Sequence, residues 1–535
     1  MKLVIQQIKQ PLSEGDDALC VLVAAQLGLD APQIRGARIL RRSLDARRKQ
    51  DVHFLLTVRI EMEDAAAKRL LKRSKNRVSV WQEARAEPPA CGSAPLRGRA
   101  VVAGLGPAGL FAGLLLAENG YRPLVIERGE PVGRRTRAVG HYWQTGELDE
   151  ESNVMFGEGG AGTFSDGKLT SRSKDPRGDA VLSTLVRFGA PEEIIVLAKP
   201  HIGTDRLRSV VSAMRAEIER LGGEVRFSTK LTGIETDGGT LRRIQTEHAG
   251  QAETLECAAL VLAIGQGARD TYQMLFDAGI AMAKKPFAVG VRIEHPQVMI
   301  DAAQYGAFAG HPRLGAAEYR LTGRSGERGV YTFCMCPGGS VIASASAAGE
   351  VVVNGMSDFA RSAQNANAAV VVQVKETDLT GDALAGMRFQ KQMEYAAFLA
   401  GGANGLAPAS DAGAFLQKTA PRGFGGVEPT YRPGVTPSDL WRVLPEFVAA
   451  GIADGITAFG RQLKGFDRAD AVLTGVETRT SAPLRILRGD TMESVSCAGM
   501  YPVGEGAGYA GGIVSAAIDG MKAAERVIAR FAPPV

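Results

Sequence analysis

Three glycines spaced Gly104-x-Gly106-x-x-Gly109, with Glu127 about 20 residues further on, have the chemistry to hold a dinucleotide. A diphosphate needs bare backbone N–H groups at a helix N-terminus, where the macrodipole favours negative charge. Side chains on the glycines would block that approach, and Pro107 and Ala108 open the helix. The Glu127 carboxylate can accept both hydroxyls of an adenosine ribose. The apolar run Ala100–Ala103 leads into the turn, a helical pattern over Ala108–Glu118 leaves it, and Pro123–Glu127 reads as the next strand. These features make a βαβ unit and point to a dinucleotide site rather than a merely structural turn.

FAD and NAD share this motif, and the rest of the chain decides between them. Near the C-terminus a second strand–turn–helix pattern carries Tyr501-Pro502-Val503-Gly504-Glu505-Gly506-Ala507-Gly508, then Gly511-Gly512-Ile513. A nicotinamide-only enzyme has no need of this second half. Three segments resemble the glutathione-reductase-like flavoproteins: Arg128-Gly129-Glu130-Pro131-Val132-Gly133-Arg134-Arg135, Ala263-Ile264-Gly265 and Gly504–Ile513. The resemblance implies that Glu505, where Asp is usual, bonds the ribityl chain. It also implies that the helix after Ile513 aims its positive end at the flavin, favouring the anionic reduced ring.

Arg41-Arg42-Ser43-Leu44-Asp45-Ala46-Arg47, Phe156–Leu169, Cys334-Met335-Cys336-Pro337-Gly338-Gly339 and Gly504–Ile513 together resemble a family of bacterial FAD-dependent dehydrogenases with an added N-terminal domain. The resemblance covers essentially the whole chain. It implies fold and cofactor strongly and hardly implies a substrate.

Other residues could act above the ring. The segment Gly157–Leu169, with Gly159 and Gly160, is too poor in bulky residues to form core, and its resemblance implies passage beside the flavin. Asp166 and Lys168 could then polarise flavin or substrate. Cys334 and Cys336 read most simply as two small buried side chains at a strand end. A thiol acting on substrate and a dithiol relay are the alternatives, although cysteines at i and i+2 of a regular strand rarely reach bonding geometry. The charge-transfer pair of disulfide reductases is lacking. The six histidines are isolated, none in a metal-ligand spacing, and no metal site is expected. His201, before a helix, could approach a ligand but reads more simply as a loop histidine. The expected reaction is hydride exchange between flavin N5 and a small substrate. NAD(P)H could serve as a transient donor, since there is no second dinucleotide motif to hold it.

These residues must be positioned by several units, because 535 residues exceed one ordinary core. Residues 1–90 alternate strands and helices as βαββαβ, a ferredoxin-like α+β arrangement. A Pro-, Ala- and Gly-rich linker follows over 86–98. The expected fold is α/β: a Rossmann-type FAD-binding domain over 98–285 and 471–535, with an α+β substrate domain inserted over 286–470. Hydrophobic content of 45% and charged content of 23% suit a soluble globular protein. The start lacks the apolar core of a signal peptide, and no apolar run approaches about 18 residues. The six scattered cysteines fit a reducing, cytoplasmic setting. Between Arg35 and Lys49 stand seven Lys or Arg against one acid. The neighbouring strand lacks the aromatics of an RNA-binding sheet. This favours a solvated or docking face, with an RNA- or protein-binding N-terminal domain as the alternative.

Overall fold

Alternation of buried and half-exposed residues along His53–Glu61 makes a sheet with one apolar face. The computed structural model, which describes residues 1–74, 76–82, 90–171 and 173–534, pairs this strand with Gly36–Asp45 on one side and Lys2–Pro11 on the other. Val78–Val80 then joins Lys2–Pro11, so the order is second, third, first, fourth, antiparallel throughout. Helices Leu19–Leu27 and Asp64–Arg73 close the apolar face through Val23, Ala24, Ala67 and Leu70, among others. This is the ferredoxin-like arrangement. The basic edge strand docks on the rest of the chain: Arg42 N donates to Val196 O at 2.6 Å and Ala198 N to Arg42 O at 2.8 Å. The first four residues of the expected linker, 86–89, lie outside the described residues.

Ala100–Ala103 and Ala259–Leu262 are buried on both faces, as parallel strands must be. The parallel sheet runs Met500–Pro502, Ala259–Leu262, Ala100–Ala103, Leu124–Ile126, Glu224–Arg226. Helices Pro107–Glu118, Thr204–Arg220 and Ile513–Arg530 cover one face. The other is covered by a three-stranded antiparallel sheet, Thr229–Asp237, Thr240–His248 and Gln251–Glu256. The sequence reading missed that small sheet, whose last strand is almost wholly exposed and so carries no apolar alternation. It also took the stretch after Glu127 as irregular, whereas Val132–Thr145 and Arg177–Arg187 are helices.

Residues after Pro286 build a seven-stranded sheet that includes Val472–Glu477, beyond the expected end of the insert at 470. Its order is Thr322–Ser325, Arg328–Cys336, Asn365–Val374, Phe287–Pro296, Val472–Glu477, Ala407–Asp411, Val435–Pro437. Helix Glu446–Gln462 packs on one face through Ile452, Ile456 and Phe459. On the other face Ala288, Ala369 and Val371 lie beneath Tyr331 and Phe333, which turn toward the Rossmann-type half. None of the described helices is long and apolar enough to cross a membrane.

Candidate functional site

One cleft of about 1060 Å³ runs from the Gly104 turn, along the C-terminal turn, to the inserted sheet. Gly104, Gly106, Pro107, Ala108, Glu127, Arg128 and Gly160 line its first part. Gly104 holds φ +102°, open only to glycine at low cost, and its N–H donates to Ile126 O at 2.8 Å. Glu127 is buried and accepts backbone N–H groups from Leu105 (2.8 Å), Gly157 (2.9 Å) and Gly129 (3.0 Å). It thus shapes the turn as well as facing the cleft.

Gly504, Glu505, Gly511, Gly512 and Ile513 line the second part, joined by Gly265 and Gln266. Asp519, in the second turn of the last helix, accepts Gly504 N–H at 2.8 Å and pairs with Arg488 at 2.7 Å. Tyr272 ties the two turns together by donating to Gly506 O at 2.7 Å and Gly265 O at 3.2 Å. Glu505 accepts from Gln266 Nε2 at 2.8 Å, and burial pushes its carboxyl up to about 7. The residues fit FAD: Gln266 Oε1 is buried without a partner, and a Cβ at Gly265, Gly511 or Gly512 would meet no protein atom. Polar groups and bare backbone both face the cavity, and helix Ile513–Arg530 starts there with no side-chain cap.

Because Glu505 holds its proton more tightly folded than unfolded, its stabilising contribution is complete below about 4.5 and is lost as pH rises through about 7. In the FAD-free protein, Glu505→Gln should therefore raise stability above neutrality by at least about 1.4 kcal/mol and change little below pH 4.5. Calorimetry across that range checks this; equal gains at both ends would refute it.

The basic stretch after Glu127 divides differently from the sequence reading. Arg128 is a wall of the cleft, bound to Glu151 and Asp270 and lying over the Phe156 ring at 4.0 Å. Arg134 does not line the cleft. The phase of helix Val132–Thr145 turns it outward, where it pairs with Glu130 at 3.3 Å. Its neighbour Arg135 turns inward and is fully buried. It donates to the carbonyls of Asn153, Val154, Gly157 and Glu158. Burial lowers its pKa to about 9. Gly109 and Gly159 also lie behind the lining. A Cβ on Gly109 would run into the Gly104 carbonyl, and one on Gly159 into Thr163. They serve close packing of the turn rather than the cleft surface.

The far wall carries Asp166, Lys168, Tyr331, Thr332, Phe333, Cys334, Glu477 and Arg479. Asp166 is buried between Lys168 (2.6 Å) and Arg361 (2.5 Å), whose charges outweigh burial and keep its carboxyl ionised. Lys168 also donates to Met335 O. His201 is off the cleft, with Nε2 on Phe359 O at 3.0 Å and its ring stacked on Phe359. Burial and then Arg361 lower its pKa, so it remains a neutral loop histidine. Cys336 lies behind Cys334, off the lining.

Sequence reasoning missed Glu477, Arg292 and Arg479. Glu477 is buried with Oε2 unbonded, 3.6 Å from Arg292, and burial pushes it up to about 7. Arg479 joins Glu350, Glu394 and Arg269 in a buried network. Arg292 and Glu477 lie within buried strands and Arg479 two residues past one, and their meeting across strands is not a local feature of the sequence.

A family described as FAD binding domain matches residues 98–270. One described as FAD-dependent protein, C-terminal domain-like, matches 286–480, and a domain of unknown function matches 1–61. An uncharacterized protein of Clostridium beijerinckii is 46% identical over 538 residues, covering 100% of both chains. Among solved structures, the flavin-dependent brominase Bmp2 is similar at 12% identity and TM-score 0.36, covering 80% of this chain and 79% of its own. A geranylgeranyl bacteriochlorophyll reductase-like protein from Thermoplasma acidophilum is similar at 12% identity and TM-score 0.35, covering 81% and 78%. The chain has a Rossmann-type FAD-binding domain, and it belongs to the family of the uncharacterized Clostridium beijerinckii protein, with which it shares its whole length.

Proposed function

We propose that this FAD-binding chain is an oxidoreductase that exchanges a hydride with a small molecule held against the inserted sheet. The observation that carries this reading is the single cleft, which joins both glycine turns to a wall of Tyr331, Phe333, Cys334, Glu477 and Arg479. FAD, when bound, supplies two-electron chemistry at its ring. The chain would contribute Gly104, Gly106, Pro107 and Ala108 to the diphosphate, Glu127 to the ribose, and Glu505 with Gly511–Ile513 to the flavin half. Tyr331 and Phe333 would exclude water from the substrate side. Glu477, holding its carboxyl near 7, could give or take a proton at Oε2 close to neutral pH. NAD(P)H would enter as a transient donor. Six free cysteines suit work in the reducing cytoplasm.

Anaerobic photometry tests the reading. One FAD per chain should be found, bleached by NADH or NADPH if a nicotinamide is the donor. FAD that resists both would exclude that donor, and FAD that resists dithionite as well would overturn a redox role.

A further inference from the structure

A strand that alternates regularly would put Cys334 and Cys336 on one face and Phe333 with Met335 on the other. Here it does not. Against Asn365–Val374 the register passes from Phe333 opposite Ala369 to Cys336 opposite Asn367, so one residue is extra. Cys334 takes φ +41°, a left-handed conformation uncommon for a residue with a side chain. The bulge flips the phase: by register Cys336 comes to the side of the sheet that carries Phe333, behind Cys334, which lines the cleft itself.

Buried cations hold this turn. Arg292 donates to Cys334 O at 3.0 and 3.1 Å and brings Nη2 within 3.6 Å of Cys336 Sγ. Lys168 holds the next carbonyl, that of Met335. Cys336 Sγ is 3.4 Å from Cys334 O. A thiol in such company is unlike the other buried cysteines. Burial pushes Cys257 up to about 12 and Cys497 up to about 11. Of the Cys334–Cys336 pair, whose mutual hydrogen bond pulls Cys336 down and pushes Cys334 up, Cys336 is the one held below the usual thiol range, with Lys168 and Arg292 adding to the effect. The thiolate is the reactive form.

We propose that Cys334, in the cleft wall, and Cys336, buried behind it, form a reversible dithiol–disulfide couple that exchanges two electrons with the FAD of the same cleft. The proposal rests on the FAD site described above. In the oxidising direction the Cys334 S–H bond breaks and one S–S bond forms with the Cys336 thiolate, whose own proton has already passed to solvent and is taken up again by the reduced flavin. Both electrons and both protons go to FAD, giving FADH2, and the reverse reaction restores the thiols. The bulge releases the pair from the regular i, i+2 spacing that keeps two sulfurs out of bonding geometry, and sets Cys336 Sγ 3.4 Å from Cys334 O.

The test has two readouts on the full chain. In a series of glutathione redox buffers, alkylation and peptide mass spectrometry should find the peptide holding Cys334 and Cys336 in a closed, reversible disulfide, with Cys257 and Cys497 still reduced. Anaerobic dithionite titration of the oxidised holoprotein should consume four electrons per FAD, twice the uptake of Cys334→Ser and of Cys336→Ala. A wild-type peptide that never closes overturns the couple. A disulfide that closes while the titration stops at two electrons overturns exchange with FAD. A chain that closes the disulfide but holds no FAD overturns the cofactor site and the exchange, and leaves the thiol couple standing. Cys334→Ser is the safer variant, because Cys334 is only half-buried.

Discussion

Gly106→Ala should fold as the wild type does, with a stability change within about 0.5 kcal/mol, yet bind FAD at least about tenfold more weakly, a loss of about 1.4 kcal/mol or more. A Cβ at Gly106 finds only Gly160 Cα, at 3.7 Å, and the backbone there (φ −77°, ψ −174°) suits alanine. The protein itself therefore tolerates the methyl group. The space it takes is the space over the helix N-terminus where the diphosphate must come close to bare N–H groups. Gly109→Ala provides the contrast, since its methyl is forced into the Gly104 carbonyl and the turn itself must break. Equilibrium dialysis for FAD, beside a melting curve of the FAD-free protein, separates the two. Undiminished FAD affinity in Gly106→Ala would sink the assignment of this turn to the diphosphate.

The second large effect concerns two adjacent arginines. Arg135→Ala should cost about 3–5 kcal/mol, by analogy with breaking other buried charged clusters, or leave the chain insoluble. Four carbonyls of the 153–158 segment lose their donor in a place water does not reach, and a cavity opens beside Phe164. Arg135→Lys should rescue only part of this, because an ammonium cannot reproduce the planar fork that meets four acceptors. Arg134→Ala should stay within about 0.5 kcal/mol of wild type, as an exposed ion pair is worth little. Urea denaturation of the three variants reads this directly. Equal losses in Arg134→Ala and Arg135→Ala would refute the division of labour drawn from the helix phase.

The pair also shows how far sequence could reach. Glycines declare themselves, because a left-handed turn or a close approach admits almost nothing else; the turns at Gly104 and Gly504 were legible for that reason. Buried parallel strands such as Ala100–Ala103 were legible as apolar runs between them. Which arginine of Arg134-Arg135 points inward depends on helix phase, and Val132–Thr145 has too few apolar residues to reveal a helix at all. The three-stranded sheet escaped because its last strand is almost wholly exposed and carries no apolar alternation. Cys334 and Cys336 were read with strand alternation, a sound rule that one extra residue suspends. Glu477 and Arg292 were invisible for a different reason: they are far apart in sequence and meet only because Phe287–Pro296 pairs with Val472–Glu477.

The last helix has a bearing on how the protein is made. Its Gly520 fits so closely against Ala108 that a side chain there would strike the backbone, and its Asp519 secures Gly504. The strand before it, Met500–Pro502, completes one edge of the parallel sheet. Chains are synthesised from the N-terminus. The glycine turn at Gly104 is thus made early but stays without its packing partner, and Ala259–Leu262 stays an open edge, until residues 500–535 have emerged. Cofactor loading therefore waits on residues 500–535. Loss of residues 500–535 would leave Ala259–Leu262 an unpaired edge open to aggregation.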